Sequence, residues 1–204
     1  LNLREKPFAP FFQLKLPVNF CERKVAIGHR VSGFLAKFTG ISLPTMQFSH
    51  LHCHTKFSLL DGAADISKMF KKAKEDNMPA VAITDHGNMF GAFKFVAEAG
   101  KYGVKPIVGC EFYVVTDRHK KKFTKEEKDQ RFHQLMLAKN PEGYKNLVKL
   151  CSLGYIEGLY GKYPRIDKEL IEKYHDGLIA TTCCIGASVP KVILKKGEEE
   201  GEKE

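Results

Sequence analysis

From residue 47 to residue 182 the chain switches repeatedly between short apolar runs and longer segments of helical period, and this alternation restricts the fold more than any other feature. The apolar runs are 47–52, 79–84 (PAVAIT), 105–115 (KPIVGCEFYVV), 131–138 (RFHQLMLA) and 177–182 (GLIATT). Between them, 65–77 sets Ile66, Met69, Phe70 and Ala73 on one helical face, and 89–102 turns Phe93, Val96 and Ala97 inward. Pro141 opens a helix carrying Leu147, Leu150 and Cys151, and 167–174 reads as a short helix. The interval between 115 and 131 is a charged loop of Lys and Glu. Strands joined by helical crossovers predict an α/β fold with parallel pairing. An incomplete barrel is the preferred form, because chemical groups recur at the C-terminal ends of the predicted strands, where α/β barrels carry their sites.

The two ends of the chain read differently. Residues 1–45 contain prolines at 7, 10, 17 and 44, bunched aromatics and no sustained period, which predicts an irregular extension ahead of a domain that starts at Met46. The alternative is an irregular arm packed on that domain. The last ten residues, KKGEEEGEKE (195–204), read as a charged tail or a truncation point, leaving 46–194 as the folded domain. The net charge of +9 is concentrated at the start: residues 1–45 hold seven Lys/Arg against two Asp/Glu, the remainder 26 against 22. The Lys120–Lys122 run and the cluster Lys68, Lys71, Lys72 and Lys74 therefore read first as solvated faces. No apolar run approaches the roughly 20 residues of a membrane span, and no secretory leader is legible, so a cytoplasmic setting without membrane contact is expected. Six scattered cysteines then read as buried thiols with one candidate metal ligand among them.

The stretch HLHCHTKFSLLDG (50–62) carries the chemistry. In an extended segment side chains alternate, so His50, His52 and His54 share a face, and neighbouring imidazoles on that face can reach one ion such as zinc or manganese. His-x-His by itself is a weak signal. Asp61 follows in the next turn, His86 after the second strand, Glu111 within the third, His133 at the start of the fourth and Cys184 after the last. Each has an ordinary explanation as a turn, a lysine partner or a core residue. Five such groups at equivalent strand ends converge on one mouth if the sheet curls into a barrel.

The stretches HLHCHTKFSLLDGAA, PAVAITDHGNMFGAFKF, GVKPIVGCEFYV, HQLMLAKNPEGYKNLVKLCSLGYIEG and PRIDKELI together resemble the polymerase and histidinol phosphatase (PHP) domain that begins bacterial DNA polymerase III alpha subunits. The resemblance runs from about Met46 to Leu194. It implies a PHP-type distorted (β/α)7 barrel, truncated at its C-terminal end, with up to three divalent metal ions. It assigns His52 and His54 to one ion, Glu111 as a bridge to a second that His133 and Cys184 also hold, and Asp61 and His86 to a third. Asp85 is then an orienting group, Cys183 a neighbour of the ligand thiol, and His50 a residue ahead of the motif. The implied function is that of a replicative DNA-directed DNA polymerase in the parent protein, with DNA and other replicase subunits as partners. Its metal-dependent phosphoesterase site would serve 3′–5′ exonuclease proofreading or pyrophosphate cleavage. The family's last two ligands, from an Asp-x-His motif, and the polymerase palm aspartates are not reached. The fragment is therefore expected not to polymerise DNA, and its ion sites to be incomplete. Two alternatives accompany this reading: a stand-alone PHP phosphatase acting on a small phosphate ester, and a metal-stabilised scaffold without catalysis.

Overall fold

The computed structural model describes residues 47–204, and both the extension expected over 1–45 and the start expected at Met46 lie outside the described residues. The longest strand, β2 (Lys105–Val114), organises the rest. Its first half pairs in parallel with β1 (Ala80–Ile83), Ala80 opposite Lys105 and Ile83 opposite Val108. Its second half pairs antiparallel with β3 (Phe132–Ala138), Tyr113 opposite His133. Beyond the end of β1, the same edge of β2 takes up the short β4 (Arg165–Ile166), parallel, at Tyr113 and Val114. Finally β5 (Leu178–Ala180) runs antiparallel to β3. The result is an open mixed sheet in the order β1-β2-β3-β5, with β4 beside β2.

Two expectations are corrected here. Parallel pairing does not run through the sheet, because 115–131 contains no helix to carry the chain back to the starting edge. Without a crossover the strand that follows can only return alongside β2 in the opposite direction. Nor is 47–52 a strand. It is an irregular segment that docks on β1 through Ala82 N–H to His50 O, and just past both segments Thr84 N–H donates to Cys53 O, both 2.9 Å.

The helices cover this sheet for reasons written locally. Helix α1 (Ile66–Glu75) starts at Asp65, whose carboxylate accepts from the Ser67 and Lys68 amides, and it closes with Lys72 and Lys74 near the negative end of its dipole. It buries Ile66, Phe70 and Ala73. Helix α2 (Ala92–Ala99) buries Ala92, Phe95 and Ala99 instead of the expected Phe93, Val96 and Ala97, and Phe93 is 86 % exposed. The small residues at 92 and 99 let the helix lie close, while the Phe95 ring meets Phe70 at 4.6 Å between centroids. Helix α3 (Pro141–Ile156) is capped by Asn140, which accepts from Gly143 N–H at 2.9 Å, and it buries Leu147 and Leu150 completely. Helix α4 (Lys168–Lys173) is capped by Asp167. The sequence reading did not anticipate α5 (Ser188–Lys196), and the charged stretch 195–204 forms its end together with α6 (Glu198–Lys203). Three glutamates in the first turn of α6 and Lys203 in its last match the helix dipole.

Two apolar cores result, one between α1, β1 and α2, the other between β2, β3, α3, β4 and α4. Phe70 is fully buried in the first. Replacing Phe70 with Ala is expected to cost about 3–5 kcal/mol of stability, read as a lower urea midpoint by circular dichroism.

Candidate metal centre

The pairing of β1 with β2 continues past the end of β1, and this places the first two groups. Glu111 N–H donates to Asp85 O at 3.1 Å and Gly87 N–H donates to Glu111 O at 2.8 Å, so His86 lies directly beside Glu111. Gly87 then turns the chain with φ +62°, and a Cβ on it would lie 2.6 Å from Pro164 Cγ. His133 faces Tyr113 across the β2–β3 ladder, on the same sheet face as Glu111 and diagonal to it. Because β3 is reversed, the beginning of that strand lies at the edge where β1 and β5 end.

The thiols arrive by a different device. Cys183 has φ +59°, a left-handed conformation that residues other than glycine rarely adopt. Two consecutive side chains consequently face one point, with Cys183 Sγ and Cys184 Sγ at 3.9 and 4.0 Å from Glu111 Oε2. The loop is fastened to β3 by His133 N–H donating to Gly186 O at 3.1 Å. It passes so close that a Cβ on residue 186 would be 2.7 Å from His133 Nδ1.

Glu111 is the centre of the group. Its side chain is 1 % exposed, with Oε2 2.5 Å from His52 Nε2 and 3.7 Å from His54 Nε2, and Oε1 2.7 Å from His86 Nδ1 and 3.0 Å from His133 Nδ1. The His54 and His86 rings stack at 3.9 Å, and Cys184 Sγ is 3.4 Å from His133 Nδ1. On the solvent side Asp61 Oδ2 lies 2.7 Å from His86 Nε2. Asp85, also buried, accepts from Thr55 N–H (2.5 Å), Thr55 O–H (2.8 Å) and Ser58 O–H (2.7 Å). Ser58 Oγ in turn accepts from His86 N–H at 3.1 Å, so Asp85 fixes the segment just after His54 against the one carrying His86.

Burial alone would raise the Glu111 carboxyl, but His133 and His86 outweigh it and hold the group well below the usual carboxylate range. The same carboxylate raises the imidazoles of His86 and His133. His54 goes the other way, lowered by burial and then by the neighbouring His86. Burial pushes the Cys183 thiol up to about 12.

The donor set fits a divalent ion. His54 Nδ1, His86 Nδ1 and Glu111 Oε1 are buried yet make no hydrogen bond, and the 2.7 Å between His86 Nδ1 and Glu111 Oε1 lacks hydrogen-bond geometry. Unbonded buried polar atoms of this kind are costly unless something else satisfies them. Imidazole, carboxylate and thiol together suit borderline cations. Among the described residues three groups bring their donor atoms within 4.8 Å of one another: His52 with Glu111 and Cys183, His54 with His86 and Glu111, and Glu111 with His133 and Cys184.

Six residues singled out in the sequence (His52, His54, His86, Glu111, His133 and Cys184) are thus brought together. Asp61 touches the cluster through His86. His52 and His54, expected to share one ion, both turn Nε2 toward Glu111 Oε2. Cys183, expected only to neighbour the cluster, lies as near Glu111 as Cys184 does. Nothing in a Cys-Cys pair signals this, since regular backbone sends adjacent side chains apart. His50 lines a separate cavity of about 410 Å³ with Cys53 and Lys68.

The open α/β sheet gathers four imidazoles and two thiols around one carboxylate at its strand ends, a set of donors that could hold divalent metal. Residues 50–204 match the PHP domain, and the chain belongs to that family. It is 50 % identical over 161 residues to DNA polymerase III subunit alpha of Borreliella burgdorferi, covering 78 % of this chain and 14 % of the relative. To DNA polymerase III subunit alpha of Thermus aquaticus it is 48 % identical over 153 residues, 74 % of this chain and 12 % of the relative. The chain therefore spans a small part of these relatives' length. A metal-dependent phosphoesterase structure from Bifidobacterium adolescentis aligns with a TM-score of 0.39 at 23 % identity, over 54 % of this chain and 34 % of that one. No helix among the described residues is long and apolar enough to cross a membrane.

Replacing Asp85 with Ala leaves three buried donors without their acceptor. The expected loss is about 3 kcal/mol or more, seen as a lower thermal midpoint by circular dichroism.

Proposed function

We propose that this chain is the PHP domain of a DNA polymerase III alpha-type subunit, and that its cluster holds up to three divalent ions, zinc or manganese, for phosphoester hydrolysis. The substrate in this reading is the 3′-terminal linkage of a DNA strand, removed as a 3′–5′ exonuclease step. Nucleotidyl transfer then belongs to parts of the polymerase outside this chain, and DNA and the other replicase subunits are its partners. The open sheet is read as a portion of a distorted (β/α)7 barrel, since its chemical groups gather at one end of the strands. The observation that carries the proposal is a single buried carboxylate with four imidazoles and two thiols within 4.0 Å, three of whose buried donor atoms have no partner.

Within this reading Glu111 would be shared between ions, His52, His54, His133 and Cys184 would hold two of them with Cys183 as a further donor, and His86 and Asp61 would hold another. Divalent ions so held would supply Lewis acidity and an acidified water to phosphoester hydrolysis. The chain's own part is to fix its donors before the substrate arrives: Asp85 locks the His54 and His86 segments together, and the β3 register fixes His133 over Glu111.

The double variant His52→Ala/His54→Ala is expected to lose at least one ion per chain by elemental analysis, and with it any release of nucleotide from a 3′-labelled oligonucleotide. Unchanged metal content would refute the ligand assignment. The cluster also joins segments from β1, β2, β3 and the loop after β5, an observation that favours a scaffold role for the ions. Chelation decides between the two: hydrolysis lost with the circular dichroism spectrum kept supports catalysis, whereas unfolding in a chain that never hydrolysed supports scaffold.

A further inference from the structure

Two thiols stand at the cluster, although Cys184 alone already completes a group of donors with Glu111 and His133. Cys183 is present at a cost, because its φ of +59° is a conformation that glycine takes freely and a residue with a Cβ does not. A side chain kept in a strained backbone region points to a use for that side chain. The position brings Cys183 Sγ to 3.9 Å from the Glu111 oxygen that Cys184 Sγ approaches at 4.0 Å, and the two thiols lie beside one another.

The other described cysteines are placed differently. Cys110 Sγ donates to Asp85 O and Cys151 Sγ to Gly87 O, both at 3.5 Å, and Cys53 packs against the first apolar core. Cys183 and Cys184 are only half-buried, on a loop whose Thr182 and Ile185 are exposed, within reach of a small oxidant.

We infer that Cys183 and Cys184 are a redox modification site: hydrogen peroxide closes them into a disulfide between adjacent residues, and the closure withdraws both sulfurs from the cluster and releases an ion. The release rests on the metal-binding reading above, and the disulfide does not. The Cys184 sulfur, 3.4 Å from His133 Nδ1, attacks one peroxide oxygen; the O–O bond breaks, water leaves with the thiol proton, and a sulfenic acid remains. The Cys183 sulfur then displaces the hydroxyl. An S–S bond forms, the S–O bond breaks, and a second water carries away the Cys183 proton, so that two thiols are oxidised and one peroxide is reduced. The thiolate is the form that holds metal, and a disulfide has none to offer. Adjacent Cα atoms are about 3.8 Å apart, closer than in ordinary disulfides. Strained disulfides of this kind are the ones that thiols readily reduce, so the change is reversible. Without Cys183 the sulfenic acid has no partner and goes on to sulfinic acid, which thiols do not reverse.

The 204-residue chain is loaded with zinc, treated with hydrogen peroxide, alkylated and digested with trypsin, and peptide 174–191, which holds no other cysteine, is weighed by mass spectrometry. The expected product is this peptide short of two hydrogens and free of alkyl label, with zinc passing to a chromogenic chelator as the disulfide forms. Dithiothreitol is expected to restore both labels. In Cys183→Gly, which suits the left-handed backbone, and in Cys183→Ser, Cys184 is expected to gain oxygen atoms that dithiothreitol does not remove. Circular dichroism verifies the fold of both variants. Full alkylation of the wild-type peptide at a peroxide dose that oxidises Cys184 in the variants, or the same irreversible product in the wild type, would overturn the pair. Disulfide formation with zinc retained would refute the release. A disulfide formed in a chain that never bound zinc would count against the ligand assignment above and leave the thiol pair standing.

Discussion

Everything distinctive in this fold answers to the burial of one carboxylate. Glu111 lies in the middle of the longest strand, wholly out of solvent, and an ionised carboxylate there is costly unless partners compensate it. The compensation comes from four histidines, two of which the same carboxylate holds toward their charged form. Opposing charge of this kind stabilises the cluster, and it leaves three buried polar atoms, His54 Nδ1, His86 Nδ1 and Glu111 Oε1, without hydrogen bonds. Such a group is strained as a purely structural feature and well arranged as a receptor for cations.

The mixed sheet is what allows the histidines to meet. In an all-parallel sheet every strand delivers its last residue to the same edge, and His133, at the start of β3, would sit at the opposite end from His86. Reversing β3 exchanges its ends. That reversal is permitted because the 115–131 loop is too irregular to form a crossover helix, so a local deficiency in the sequence has a global consequence for the site.

The same loop is nevertheless fixed. Arg118, nearly buried, pairs with Asp167, Glu157 and Glu169, while buried Arg165 donates to the carbonyls of Gly158, Arg118 and Lys120 and to Asp129. Lys121 also donates to the Arg118 carbonyl and adds two more, those of Glu157 and Leu159. Cations satisfied by carboxylates and backbone oxygens hold a segment that has no secondary structure of its own, and the loop's end, Asp129–Arg131, forms part of the wall of a cavity of about 1010 Å³ beside the cluster.

The sequence by itself determined the alternation of β1, β2, β3 and β5 with α1 to α4 and the identity of most groups that meet at Glu111, because periodicity and side-chain type are local properties, while β4, α5 and α6 left no signal that was read. It misjudged the buried face of α2, where size suggested Phe93 and close approach to the sheet selected Ala92, Phe95 and Ala99. Tertiary structure alone decided the direction of β3 and the entry of Cys183. Strand direction depends on which edge is free when the chain returns, and the left-handed backbone at Cys183 depends on the loop being held against β3. Neither quantity exists until distant segments are in contact, so no reading of neighbouring residues contains it.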